Sequence, residues 1–223
     1  MIRLPRAILF DCDGVLVDTE PLANQMLSEL ITSHGVPMSP LDCRAAFTGL
    51  NPRGVARRLI ELHNLDLSKP LVNVASAHFM TALKKNGLTP LQGVAETLRR
   101  LQELNIAIAA ASNSPLDELV FKLDLAGIIA YFAPHHYSGD ALGRPKPDPA
   151  VYLHAALHLG VAPSDCIVIE DSPLGVRAGV AAGMTVWGFT GTHPDPSHSR
   201  VLLHAGAHRC IERIDAIAAE LAP

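Results

Sequence analysis

Four short stretches of the chain are apolar almost without a break: residues 7–10 (Ala-Ile-Leu-Phe), 106–111, 166–169 and 185–189. A strand with one wet face alternates apolar and polar side chains; unbroken runs predict strands covered on both faces of a parallel sheet. Between these runs the period changes. Val94, Leu98, Leu101 and Leu104 follow the i, i+4, i+7 spacing of a helix lying on a sheet, which predicts a helix over 94–104. Residues 115–125 and 149–159 repeat the pattern, each opening at a proline suited to a first helical turn. Strand and helix in alternation predict an α/β fold, a doubly wound, Rossmann-like parallel sheet with right-handed crossovers.

One long stretch departs from the alternation. From about 20 to 87 there is no strand pattern, only helical pieces separated by Gly35-Val36-Pro37, Thr48-Gly49-Leu50-Asn51-Pro52 and Ser68-Lys69-Pro70. A parallel crossover needs only about a dozen residues. The expected organisation is therefore an α/β core of residues 1–18 and 88–223, with a small helical domain of residues 19–87 inserted after the first strand. Residues 191–200, with two prolines and two histidines, read as a loop.

Composition narrows the functional classes. Of the 223 residues 48% are hydrophobic, enough for a substantial core, and 18 Lys+Arg against 22 Asp+Glu leave a net charge of −4. That balance argues against a disordered chain and against nucleic-acid binding through bulk charge. Few aromatic rings are present to stack on bases. No apolar run approaches the ~18 residues of a membrane span, and the first residues lack the pattern of a signal peptide. The four cysteines form no CxxC pair, and three of them sit in apolar runs and read as small buried hydrophobes, which fits a reducing compartment and a cytoplasmic protein. The eleven histidines are read one by one as surface or satisfied core side chains.

Chemistry gathers where the predicted strands stop. Asp11-Cys12-Asp13-Gly14 follows the first run and puts two carboxylates on one side of an extended chain. The carboxyl end of a parallel strand is where open α/β sheets bind ligands, and like charges that close call for a cation or a shared proton. Gly14 can take the positive φ that turns the chain away. On its own, such an acidic turn reads more often as a cap for the next element. Three further clusters change the weighing. Ser112-Asn113-Ser114 ends the second run ahead of a helix, where hydroxyl and free N–H groups can hold an anion. Lys146 lies between Pro145 and Pro147, which hold its backbone extended. Glu170-Asp171-Ser172-Pro173 is a second acidic strand end, and the helix it opens carries Gly175, Gly179 and Gly183 for close packing.

In order and spacing, Ile8-Leu9-Phe10-Asp11-Cys12-Asp13-Gly14-Val15-Leu16-Val17-Asp18, Ser112, Lys146 and Glu170-Asp171 resemble the four motifs of the haloacid dehalogenase superfamily of phosphohydrolases. The likeness spans the whole chain, because the helical stretch falls where the β-phosphoglucomutase-like and sugar-phosphate phosphatase subgroup inserts its cap. The resemblance implies Asp11 as a nucleophile that carries an aspartyl-phosphate, and Asp13 as general acid and base. It implies Mg2+ held by the Asp11 and Asp171 carboxylates and the Asp13 backbone carbonyl, with Glu170 nearby orienting bound water. Ser112 and Asn113 would hold phosphate, and Lys146 would offset the charge of phosphate and nucleophile.

Details within the resemblance sort the reactions. Dehalogenases lack the second acid that Asp13 supplies, and phosphonatases carry alanine there. β-Phosphoglucomutases carry a histidine where this chain has Ala23, and a lysine and arginine in the cap loop, which here reads Thr48-Gly49-Leu50-Asn51-Pro52-Arg53. Water is therefore the expected acceptor. The alternatives are a phosphomutase on the same scaffold and a non-catalytic phosphate-accepting module; against the latter, receiver-type modules have no long insertion after the first strand. The expected substrate is a small phosphorylated metabolite (a sugar, sugar-acid or polyol phosphate), with Thr19, Glu20, Thr48, Asn51 and Arg53 facing it. The expected protein is a monomer or weak dimer.

Overall fold

The computed structural model describes residues 4–68, 76–193 and 195–221; part of the predicted break at Ser68-Lys69-Pro70 lies outside them. Six parallel strands form one sheet: β1 (Ala7–Phe10), β2 (Ala107–Ser112), β3 (His136–Ser138), β4 (Cys166–Glu170), β5 (Thr185–Phe189) and β6 (Arg209–Ile211). Their order is β3-β2-β1-β4-β5-β6, so the chain winds outward in both directions from the β1/β4 pair. That pair is the topological switch point, where the crossovers leave a crevice at the strand ends.

The central strands read as unbroken apolar runs because each face meets its own layer of helices. Ile8 and Phe10 point into one hydrophobic cluster and Ala7 and Leu9 into the other, and β2 divides likewise into Ile108, Ala110 and Ala109, Ala111. The first cluster is closed by α5 (Val94–Glu103), α6 (Leu116–Leu125), α7 (Ile129–Phe132) and α11 (Asp215–Leu221). The second is closed by α8 (Ala150–Leu159), α9 (Pro173–Ala181) and α10 (His198–Ala205). The helices expected over 94–104, 115–125 and 149–159 are α5, α6 and α8, within a residue at each end.

Two strands carry no signal in the sequence. β3 and β6 are three residues each at the two edges of the sheet, and neither is fully buried. An edge strand pairs on one side only, so nothing demands a continuous apolar run there.

Among the described residues, four helices lie between β1 and α5, namely α1 (Glu20–Ser33), α2 (Pro40–Phe47), α3 (Pro52–His63) and α4 (Ser76–Asn86), with a hydrophobic cluster of their own that includes Ile31, Phe47, Val55 and Leu59. Local chemistry sets their ends. Ser39 and Asp42 form a capping box at the start of α2, and the Asn51 side chain accepts from the Gly54 N–H at the start of α3. No helix among the described residues is long and apolar enough to cross a membrane. Three of the cysteines, Cys12, Cys43 and Cys166, are buried as expected.

Candidate active site

The switch point brings the strand ends together. Asp11 follows β1 directly and its N–H donates to the Ile169 carbonyl of β4 at 3.0 Å, which sets it beside Glu170 and Asp171. Oxygens of Asp11, Glu170 and Asp171 lie within 4.8 Å of one another, and all three side chains are buried. Lys146 enters this cluster. Its ammonium donates to Asp11 Oδ1 at 2.5 Å, Glu170 Oε1 at 2.6 Å and the Ala111 carbonyl at 2.7 Å, which uses all three of its N–H groups. The loop that carries it is held by Asn113, whose Oδ1 accepts from the Lys146 N–H at 2.7 Å.

The carboxylates differ in how far the protein satisfies them. Glu170, 0% exposed, accepts from Lys146, from the Tyr152 hydroxyl at 2.7 Å, and from the N–H and hydroxyl of Ser172. Among the described residues, Asp11 and Asp171 each take a single side-chain partner, Lys146 and His193. Burial pushes the Asp11 carboxyl up to about 7, with Lys146 pulling against the rise and Glu170 and Asp13 adding to it. Burial, then the charges of Asp11 and Glu170, drives the Asp171 carboxyl well above the ordinary carboxylate range. Crowded, buried and under-satisfied oxygens of this kind fit a hard divalent cation, which takes oxygen ligands and relieves the repulsion. The backbone makes room for them. Gly14 has φ +82°, and a Cβ there would fall 2.1 Å from Asp171 Oδ2; at Gly175 a Cβ would fall 1.7 Å from Glu170 Oε1. Gly183 does not share this packing role; with φ +75° and nothing within 4 Å of a Cβ, it ends a helix.

Asp13 stands apart from the trio. Its carboxylate accepts from the Lys122 ammonium at 2.5 Å, the Ser114 hydroxyl at 3.1 Å and the Thr19 hydroxyl. Burial works to raise its proton affinity, but Lys122 and these hydrogen bonds outweigh that and leave it below its ordinary value. The two acids of the first motif therefore occupy opposite electrostatic settings, one pushed toward the proton and one held ionised.

The family model of haloacid dehalogenase-like hydrolases matches residues 5–183 of this sequence. The chain belongs to that family. It is 27% identical over 202 residues to the 6-phosphogluconate phosphatase of Escherichia coli K12, covering 89% of this chain and 86% of the relative. To the phosphorylated carbohydrates phosphatase of Thermotoga maritima it is 32% identical over 209 residues, covering 90% and 91%. A crystal structure of a family hydrolase from Deinococcus radiodurans R1, with bound phosphate and sodium, superposes with a TM-score of 0.77 at 35% identity, covering 97% and 95%.

Within this hydrolase, Asp11, Asp13, Ser112, Lys146 and Asp171 line a cavity of about 310 Å3, closed over by side chains of α1, α3 and α4. The other residues singled out in the sequence have further partners. Glu170 is near the other acids but does not line the cavity. Asn113 lines it, yet its side-chain amide is spent on the Lys146 loop and on the Gly49 carbonyl at 3.0 Å. Asn51 likewise donates to Asp140 Oδ1 at 2.8 Å while capping α3, and the Thr48 hydroxyl donates to the Arg44 carbonyl at 2.6 Å. Arg53 is exposed and outside the cavity lining, because it falls on the outer face of α3. Thr19 and Glu20 do line the cavity.

Three residues in contact with the site's charged groups were not singled out from the sequence. Lys122, 1% exposed, and Glu118 sit on α6 one turn apart, among the buried Leu119 and Leu123. Charges inside an apolar helical stripe were the available signal. The third is His193, in the stretch read as a plain loop: its Nε2 lies 3.2 Å from Asp171 Oδ2. Burial, then His198 and Arg44, push its imidazole down to about 3, so the ring is neutral.

Proposed function

We propose that this hydrolase is a Mg2+-dependent phosphatase that cleaves small sugar, sugar-acid or polyol phosphates through an aspartyl-phosphate on Asp11. The observation that carries the reading is the pairing of Asp11 with Lys146 inside a trio of carboxylates, beside an independently held Asp13 that faces the same cavity. Asp11, Asp171 and the Asp13 carbonyl would hold the ion, which supplies charge neutralisation for the phosphate oxygens. The Asp11 carboxylate attacks phosphorus, forming an O–P bond as the bond to the sugar oxygen breaks. Lys146 holds the attacking oxygen in place and offsets the charge that collects there. A phosphate dianion in the cavity raises the proton affinity of Asp13, which takes up a proton from solvent as the substrate binds and then gives it to the departing alkoxide. Ionised again and steadied by Lys122, Asp13 takes a proton from the water that attacks the phosphorylated Asp11, and phosphate and free carboxylate result.

The helices α1 to α4 act as the cap that encloses the substrate. Ala23, where mutases of the resembling subgroup carry histidine, lines the cavity with a methyl group, which favours water over a sugar hydroxyl as acceptor. The names of the carbohydrate-phosphate phosphatase relatives support the substrate class. The test is phosphate release from a panel of hexose, hexitol and sugar-acid phosphates with Mg2+. Turnover that stops with a chelator and in Asp11→Asn supports the reading; turnover that survives both ends it.

A further inference from the structure

Arg44, on α2, reaches across to the core. Its Nη2 lies 2.9 Å from the Thr192 carbonyl and 3.1 Å from His193 Nδ1, and its Nε pairs with Glu20 at 3.4 Å. A guanidinium can only donate, so His193 Nδ1 is the acceptor and the ring proton sits on Nε2. That N–H points at Asp171 Oδ2, 3.2 Å away. The same reasoning applies to His198: its Nε2 lies 2.6 Å from the Asp171 carbonyl, which can only accept. The two imidazoles stack at 3.5 Å with an interplanar angle of 15°. Thr192 closes the arrangement by donating its hydroxyl to the Gly14 carbonyl at 3.0 Å. An unbroken line of directed hydrogen bonds thus runs from the helical insertion to one carboxylate of the acidic trio, and Arg44, His193 and His198 themselves do not line the cavity.

We propose that Arg44 and His193 form a coupling relay: docking of α2 on the core fixes the His193 tautomer, which aims the Asp171 carboxylate for a divalent cation, and the cation in turn tightens the docking of α2. The proposal rests on the reading of Asp11, Glu170 and Asp171 as a cation site. His193 is a positioning residue, since it acts through Asp171. Partners behind metal ligands commonly change affinity by about 10–100-fold, and coupling between two events is reciprocal.

The test is Mg2+ binding by calorimetry without substrate, on the full chain. His193→Ala is expected to weaken Mg2+ about tenfold and Arg44→Met by at least about threefold, although Arg44 touches no carboxylate of the trio. The double variant is expected to bind no more weakly than His193→Ala, because both changes cut one line. His193→Gln can donate to Asp171 and accept from Arg44, and is expected to bind within about threefold of the unaltered protein. A second readout is amide exchange in α2, which Mg2+ slows in the unaltered protein and leaves unchanged in His193→Ala. Affinities within twofold of the unaltered protein for both Arg44→Met and His193→Ala overturn the relay, as does a double variant whose losses multiply or a glutamine variant as weak as alanine. Loss of Mg2+ binding in Asp171→Asn combined with normal binding in Arg44→Met rejects the relay and keeps the cation site. Mg2+ binding undiminished in Asp171→Asn rejects both.

Discussion

Replacing Lys146 by methionine tests the electrostatics of the site most severely. Its ammonium is 2% exposed as a side chain and stands between Asp11 and Glu170, whose own side chains are 12% and 0% exposed. Methionine fills similar space but leaves two buried carboxylates, Asp11 and Glu170, without their shared cation. Removing one partner of a buried ion pair costs about 3–5 kcal/mol. For a chain of this size each kcal/mol moves the melting temperature by roughly 2–4 °C, so the expected loss is on the order of 6–20 °C in the presence of chelator. Mg2+ then substitutes for part of the missing charge. At a hundredfold excess over its dissociation constant it returns about 2.7 kcal/mol by mass action. Thermal unfolding of the variant, with chelator and with saturating Mg2+, measures both effects. A Lys146→Met protein that melts within about 2 °C of the unaltered one in chelator refutes the reasoning, because the carboxylates would then not need the lysine.

Two further outcomes are expected. Asp11 binds its proton more tightly folded than unfolded, with a folded value of about 7 against an ordinary 3.8. Its stabilising contribution is therefore complete below about 3.8 and lost as pH rises through about 7. Metal-free Asp11→Asn lacks this loss, so its melting temperature should gain on the unaltered protein between about pH 5 and 8; a difference that is flat or reversed with pH contradicts the assignment. Asp13→Asn is expected to slow phosphoryl transfer from a hexose phosphate by about 10^2–10^4-fold in single-turnover quench experiments, and transfer from an aryl phosphate by much less, since a phenolate leaves without a proton. Equal losses for both leaving groups would remove the acid role.

What the sequence discloses and what it withholds divides along physical lines. β1, β2, β4 and β5 are legible because burial on both faces leaves an unbroken apolar run, and Asp11, Lys146, Glu170 and Asp171 because each sits next to such a run or in a proline-bounded turn. Edge strands β3 and β6 leave no such trace. The partners of the site are hidden for another reason. Lys122 meets Asp13 across 109 residues of chain, and Arg44 meets His193 across 149, and no local pattern encodes contacts that distant. Asn51 and Asn113 show a complementary point. Both line the cavity, but their amides also cap α3 and brace the Lys146 loop, work that no local sequence pattern announces.

Covalent capture on Asp11 tests the account at its centre. The protein is mixed with a hexose or sugar-acid phosphate and Mg2+, quenched in acid within the first turnover, digested, and the peptide containing Asp11 weighed. The account predicts a phosphoryl group on Asp11 that is lost on base treatment and that lives longer in Asp13→Asn. Substrate consumed at full rate with Asp11 never phosphorylated in either protein would contradict it.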